Sequence, residues 1–157
     1  MELEERPGIH PPWKKHVIEW SYYQLENKGF QNFTDRSKMD HKTGSAFVAC
    51  KDGEEISHVS VRLNDEATVY LADLNAIDLA INYILENYII NAEIISDSRS
   101  VLQALSNPSN ICPHIWKIKN KVKGNSCNIF FKWAKVHIGI LGNEAADAYA
   151  KLGTTKE

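Results

Sequence analysis

Four aspartates carry the chemistry open to this sequence, and each stands where a carboxylate needs a reason. Asp35 lies in Gly29-Phe30-Gln31-Asn32-Phe33-Thr34-Asp35-Arg36-Ser37-Lys38, whose alternating side chains read as a strand that starts half-buried and ends by presenting that carboxylate. Asp73 interrupts the apolar run Leu71-Ala72-Asp73-Leu74, Asp97 follows Ile94-Ile95-Ser96, and Asp147 closes Gly142-Asn143-Glu144-Ala145-Ala146-Asp147. Three of them have bland readings: a polar strand end for Asp35, a helix N-cap for Asp97, and a first-turns charge favoured by the helix dipole for Asp147. Asp73 does not, because an unpaired charge on an apolar helix face costs on the order of several kcal/mol and needs a partner or a metal ion. Glu66, seven residues earlier, is a possible substitute on that face. Four carboxylates meeting at one place would repel strongly unless divalent cations sat among them. Other chemistries fit less well. There is no Gly-rich phosphate loop, and Ser96-Asp97-Ser98 lacks the strained elbow of a serine hydrolase.

The surrounding pattern supplies elements able to bring these residues together. After the strand ending at Asp35, a loop through Lys38, Asp40, His41 and Gly44 leads to Ser45-Ala46-Phe47-Val48-Ala49-Cys50. The turn Lys51-Asp52-Gly53-Glu54 then leads to a third strand through Ile56, Val59, Val61 and Leu63, completing an antiparallel meander. From Thr68 the apolar spacing becomes helical, to about Asn87, with Asp65 or Thr68 as the cap. Ala92-Glu93-Ile94-Ile95-Ser96 reads as a central strand, Ser98 opens a short helix ending before Asn107-Pro108, and Asn128 to Trp133 reads as a fifth strand. A final helix is expected from Asn143, with Asn143 as its cap. This order makes an α/β sandwich on a mixed sheet.

Size and composition set limits on function. The 157 residues, 43% hydrophobic, suffice for one packed domain, and residues 1–27, rich in proline and charge at the start, read as an extended lead-in or linker to a domain over 28–157. The formal charge of -2 gives no global attraction to nucleic acid, so such binding needs a local patch. Lys117, Lys119, Lys121 and Lys123 form the one dense basic stretch. The unpaired cysteine count, Cys50, Cys112 and Cys127, suggests reduced thiols in an intracellular setting, cytoplasmic or nuclear. The longest apolar run is broken by charges, so no membrane partner is expected.

With the order strand-Asp, helix-carboxylate, strand-Asp, then Trp-x3-His-x-Gly-x2-Gly-Asn-Glu-x2-Asp, the chain resembles the ribonuclease H family, most of all the domain of a non-LTR retrotransposon reverse transcriptase polyprotein. The resemblance runs from about residue 30 to 152 and is most specific from Trp133 to Lys151. It implies an α/β fold with a five-stranded mixed sheet, three antiparallel strands first, and helices on both faces. It implies an endonuclease that cuts the RNA strand of RNA/DNA hybrids, with a covalently linked polymerase domain as a further partner. By motif position Asp35, Asp73, Asp97 and Asp147 would hold two Mg2+ ions, with Mn2+ as a substitute, about 3.5–4 Å apart as in two-metal enzymes. His137 would shuttle protons or assist product release. Arg36, Ser37, Ser98, Asn143 and Glu144 flank these positions and are the substrate-binding candidates.

Three positions depart from the family pattern. The helix carboxylate is normally Glu, where this chain has the shorter Asp73, and a misplacement of about 1 Å can lose about 10²-fold in rate. Arg36 replaces a usual Gly, and Lys135-Val136 replaces a usual Pro-Gly before His137. The main alternative is a catalytically weakened domain with a structural or interaction role; a third reading keeps the nuclease chemistry on duplex DNA.

Overall fold

Two tight turns set the register on which everything else rests. Asp40 and His41 (φ 52° and 66°) join the first pair of long strands, and Asp52 and Gly53 (φ 52° and 87°) join the second, the left-handed conformations required of two-residue hairpin turns. The structure, a computed structural model, describes residues 17–135 and 141–156. Among these, the chain forms β1 (Trp20–Tyr22), β2 (Phe30–Met39), β3 (Lys42–Lys51), β4 (Glu54–Leu63), α1 (Val69–Glu86), β5 (Asn91–Ser96), α2 (Arg99–Ser106), α3 (Pro113–Lys123), β6 (Asn128–Trp133) and α4 (Leu141–Gly153).

The strands make one mixed sheet in the order β1-β6-β5-β2-β3-β4, with β2, β3 and β4 antiparallel and β5, β6 and β1 joined in parallel. The sheet thus has six strands rather than the expected five. The extra one is Trp20–Tyr22, which pairs with Phe131–Trp133 at the sheet edge. Ile18, buried just before it, donates its N–H to the carbonyl of Leu105 at 3.1 Å. Within the expected lead-in, residues 1–16 lie outside those described, and this later part is built into the sheet.

Alternation along the strands divides the core in two. Phe47, Ala49, Ile94 and Phe131 pack with α1, α2 and α3, whereas Phe33, Val48, Cys50 and Ile95 pack with Ala146 of α4. Helices therefore cover both faces. Two glycines allow α4 its close approach: a Cβ at Gly44 would collide with the carbonyl of Ala150, and one at Gly142 with the ring of Phe33.

Other element boundaries differ from the sequence expectation. The strand carrying Asp35 continues to Met39, because hairpin pairing with β3 persists after β5 has stopped at Phe33↔Ile95. Asp35 accordingly lies at a fork in the sheet, not at a strand end. Thr68 caps α1 as one of the two expected residues, its side chain accepting from Leu71 N at 3.1 Å, but this leaves Glu66 in the preceding turn, exposed and off the helix face, so it is no substitute for Asp73. The cap of α2 is Ser98, not Asp97. Asn143 is no cap either, since α4 is already helical at Leu141.

Candidate active site

At the fork, neighbouring strands diverge and leave a crevice at the carboxyl end of β5, the usual place for ligands where strand order reverses. Asp35 enters it from β2, two residues beyond the last pair with β5. Asp97 enters directly after β5, the cap of α2 being Ser98, whose Oγ accepts the N–H of Val101 at 3.4 Å. Asp73 enters from α1, whose seat on the sheet is fixed by the Ser45 hydroxyl donating to the carbonyl of Ala72 at 2.7 Å. One carboxylate oxygen from each of Asp35, Asp73 and Asp97 lies within 4.8 Å of the others. The shorter side chain at Asp73 therefore still reaches the cluster.

The electrostatics are those of crowded, buried acids. Asp35 and Asp73 are 6% and 5% exposed. Burial, reinforced by the charge of Asp97, pushes the Asp35 carboxyl up from 3.8 to about 7, against the opposing N–H and guanidinium of Arg36; Asp147 adds a smaller upward push. Burial likewise raises Asp73 to about 6, opposed by Arg36, raised further by Asp97, and opposed again by a hydrogen bond from Ser98. Arg36 is, among the described residues, the cation in contact with both: its Nη1 lies 3.2 Å from Asp35 Oδ1, and its Nε lies 3.6 Å from Asp73 Oδ1.

The remaining expected residues divide. Asp147 is outside the close-set trio and is ion-paired with Lys151 at 3.0 Å, one helical turn on. Ser37 is buried on the same strand face as Asp35, two residues along. The Ser98 hydroxyl is committed to the α2 cap and to Asp73, so it steadies the cluster from within the protein. Asn143 is buried, its Oδ1 without a hydrogen-bond partner among the described residues, and Glu144 is exposed. His137 lies outside the described residues. The lysine stretch is only partly open: Lys117 and Lys123 are exposed, whereas Lys119 is buried and donates to the Asn107 carbonyl at 2.9 Å, and Lys121 and Lys117 lie 2.7 and 3.6 Å from Asp78.

Two features beside the cluster were missed in the sequence. The Arg99 guanidinium lies over the rings of Trp20 and Trp133, 5.8 and 5.5 Å from their centroids, and Trp133 Nε1 donates to the Asp97 carbonyl at 3.2 Å. Nothing local to Arg99 announces this, because Trp20 and Trp133 are brought together by β1–β6 pairing. The Asp147–Lys151 pair had a visible signal, the i,i+4 spacing of opposite charges on a helix.

A family model described as RNase H matches residues 27–155. The chain belongs to the RNase H family. Its fold is shared with the RNase H1 of the halophilic archaeon Halobacterium salinarum, at 16% identity and a TM-score of 0.64, over 79% of this chain and 96% of that one. It is shared with LC11-RNase H1, solved in complex with an RNA/DNA hybrid, at 14% identity and a TM-score of 0.63, over 78% and 97%. The prototype foamy virus protease-reverse transcriptase matches at 19% identity and a TM-score of 0.70, over 86% of this chain and 22% of that one, so this chain spans about a fifth of that polypeptide. No curated protein sequence matches the chain.

The trio suits a hard divalent cation. Its donors are all carboxylate oxygens, the ligands preferred by Mg2+ and Mn2+, and the raised proton affinity of Asp35 and Asp73, caused first by burial and then by the charge of Asp97, marks carboxylates whose charged forms a bound cation would stabilise. Among the described residues, no helix is long and apolar enough to cross a membrane.

Proposed function

We propose that this RNase H domain is an endonuclease that hydrolyses the RNA strand of RNA/DNA hybrids with two divalent cations, Mg2+ or Mn2+. The observation that carries the reading is the convergence of Asp35, Asp73 and Asp97 from three separate elements onto one crevice. When bound, two such ions supply an activated water and charge stabilisation at the attacking and leaving oxygens of an in-line displacement. The chain's own part is positional. Asp35, Asp73 and Asp97 hold the cations, and Asp147, released from Lys151, adds a fourth carboxylate. Ser98 fixes the Asp73 carboxylate through its hydroxyl. His137 shuttles protons or assists product release; of the substrate-binding candidates, Arg36 and Glu144 reach solvent and contact the substrate, while Ser37 and Asn143 are buried. The hybrid is selected by the 2'-hydroxyls of the RNA strand and by phosphate contacts to the DNA strand.

The domain acts within a retroelement reverse transcriptase, where a linked polymerase domain holds the hybrid at high effective concentration. Two observations favour this: the likeness to a protease-reverse transcriptase chain of which this domain spans a fraction, and the withdrawal of Lys119 and Lys121 on α3 from the basic stretch into internal bonds. The free thiols of Cys50, Cys112 and Cys127 favour an intracellular setting.

One observation favours the alternative of a weakened domain: a guanidinium stands among the carboxylates. An assay with labelled RNA/DNA hybrid, duplex RNA and duplex DNA, in Mg2+ or Mn2+, separates the readings. Cleavage of the RNA strand of the hybrid alone, lost in Asp97→Asn, is the expected result. Absence of cleavage with either ion, with no gain on Asp73→Glu, would establish the alternative, and cleavage of duplex DNA would establish the third reading.

A further inference from the structure

Arg36 follows Asp35 directly on β2, and its surroundings show what it does there. Arg36 pairs across the hairpin with Ser45, so the two side chains leave the sheet on one face. Ser45 bonds the backbone of α1 beside Asp73, which places the Arg36 side chain on the side from which Asp73 descends. From there the guanidinium spans the cluster, with Nη1 toward Asp35 and Nε toward Asp73, and it also feels the charge of Asp97. It thus lies against two of the three carboxylates that would hold a divalent cation. The Arg36 side chain is 32% exposed, while those of Asp35 and Asp73 are 6% exposed. The carboxylates are fixed by their elements; the arginine, on a long flexible stem open to solvent on one side, is the member able to leave.

The geometry points to Arg36 as a tethered counter-cation that neutralises the metal-free cluster and competes with divalent ions for Asp35 and Asp73. The inference rests on the reading of the trio as a metal site, and it assigns that site a regulator carried in the chain. Two ions of like sign cannot share the same carboxylate oxygens without repulsion, so binding of a divalent ion requires the guanidinium to turn outward. Turned outward, it is free to pair with a phosphate of the bound nucleic acid, an acceptor whose geometry its donor fork matches. Site occupancy is then low at low divalent concentration and rises when substrate takes the arginine away.

The test is a titration of the full chain with Mn2+ by calorimetry and with Mg2+ by thermal shift, at pH 8 and fixed ionic strength, comparing the unaltered protein with Arg36→Gln. Removal of the competing charge is expected to lower the half-saturating concentration about tenfold, given one charge pair at a partly solvated site. Metal-free Arg36→Gln is expected to melt below the unaltered protein and to gain more from metal. Arg36→Lys provides a second variant that keeps the charge but lacks the planar fork spanning two carboxylates, and it should also bind metal more tightly than the unaltered protein. Equal or weaker binding by both variants, with binding by the unaltered protein intact, would overturn the competition while leaving the metal site standing. Failure of all three proteins to bind either ion would overturn the metal site itself.

Discussion

Metal-free protein should become less stable as the pH rises from 5.5 to 8, the reverse of the usual behaviour of salt-bridged carboxylates. The perturbation is deprotonation of Asp35 and Asp73, whose folded-state values are raised from 3.8 to about 7 and about 6. The folded chain binds these protons more tightly than the unfolded chain does. Their contribution is therefore fully present below about pH 4 and is lost as the pH climbs through 6 and then 7. Each pH unit between the unfolded and folded values is worth about 1.4 kcal/mol per group. From pH 5.5 upward Asp35 has about one and a half such units to lose and Asp73 about half a unit, a combined loss of about 2–3 kcal/mol. For a domain of this size that is a fall in melting temperature of roughly 5–10 °C. Thermal unfolding followed by circular dichroism in EDTA, at pH 5.5 and pH 8, measures it. Excess Mg2+ at pH 8 should recover most of the loss, since a ligand that binds only the native state stabilises it by mass action. A melting temperature that is flat or rises over this range without metal would refute the crowding of these carboxyls.

Asp97→Asn removes the charge that raises both Asp35 and Asp73. It should raise the metal-free melting temperature at pH 8 by a few degrees, corresponding to about 1 kcal/mol, while greatly reducing the stabilisation given by Mg2+; unfolding scans with and without metal read both effects. Ser98→Ala deletes the α2 cap and the hydrogen bond to Asp73. Stability should fall by about 1 kcal/mol, and the Asp73 carboxyl should titrate higher by carbon-13 NMR; an unchanged titration would remove Ser98 from the site.

The parts of this molecule readable from its sequence are those specified by local chemistry. The helical spacing from Thr68, the Asp52-Gly53 turn and the β-branched run before Asp97 each name their element within a short window, and together they give the mixed sheet and the order of the acids along it. Asp73 announced itself by being a charge on an apolar helix face. What escaped the reading depends on partners far away in the chain. Trp20–Tyr22 is too short to show a strand period and becomes one only against β6. The strand through Asp35 outlasts its parallel neighbour because of its pairing with β3, so the fork that makes the crevice is invisible in β2 alone. Ser98 and Asp97 are both good caps, and only the backbone path decides that serine takes the role. The α3 lysines read as one dense basic stretch until Asp78 and the Asn107 carbonyl are found to engage Lys121 and Lys119. Arg36 was visible as an oddity, but its hold on two acids from different elements was not.

The most direct test of the account is a crystal structure of the chain soaked in Mn2+, with anomalous scattering recorded to locate the ion. The account predicts a peak in the crevice about 2.1–2.2 Å from carboxylate oxygens of Asp35, Asp73 and Asp97, with the Arg36 guanidinium turned away from it. A crevice without anomalous density at saturating Mn2+, with Arg36 still lodged between Asp35 and Asp73, would contradict it.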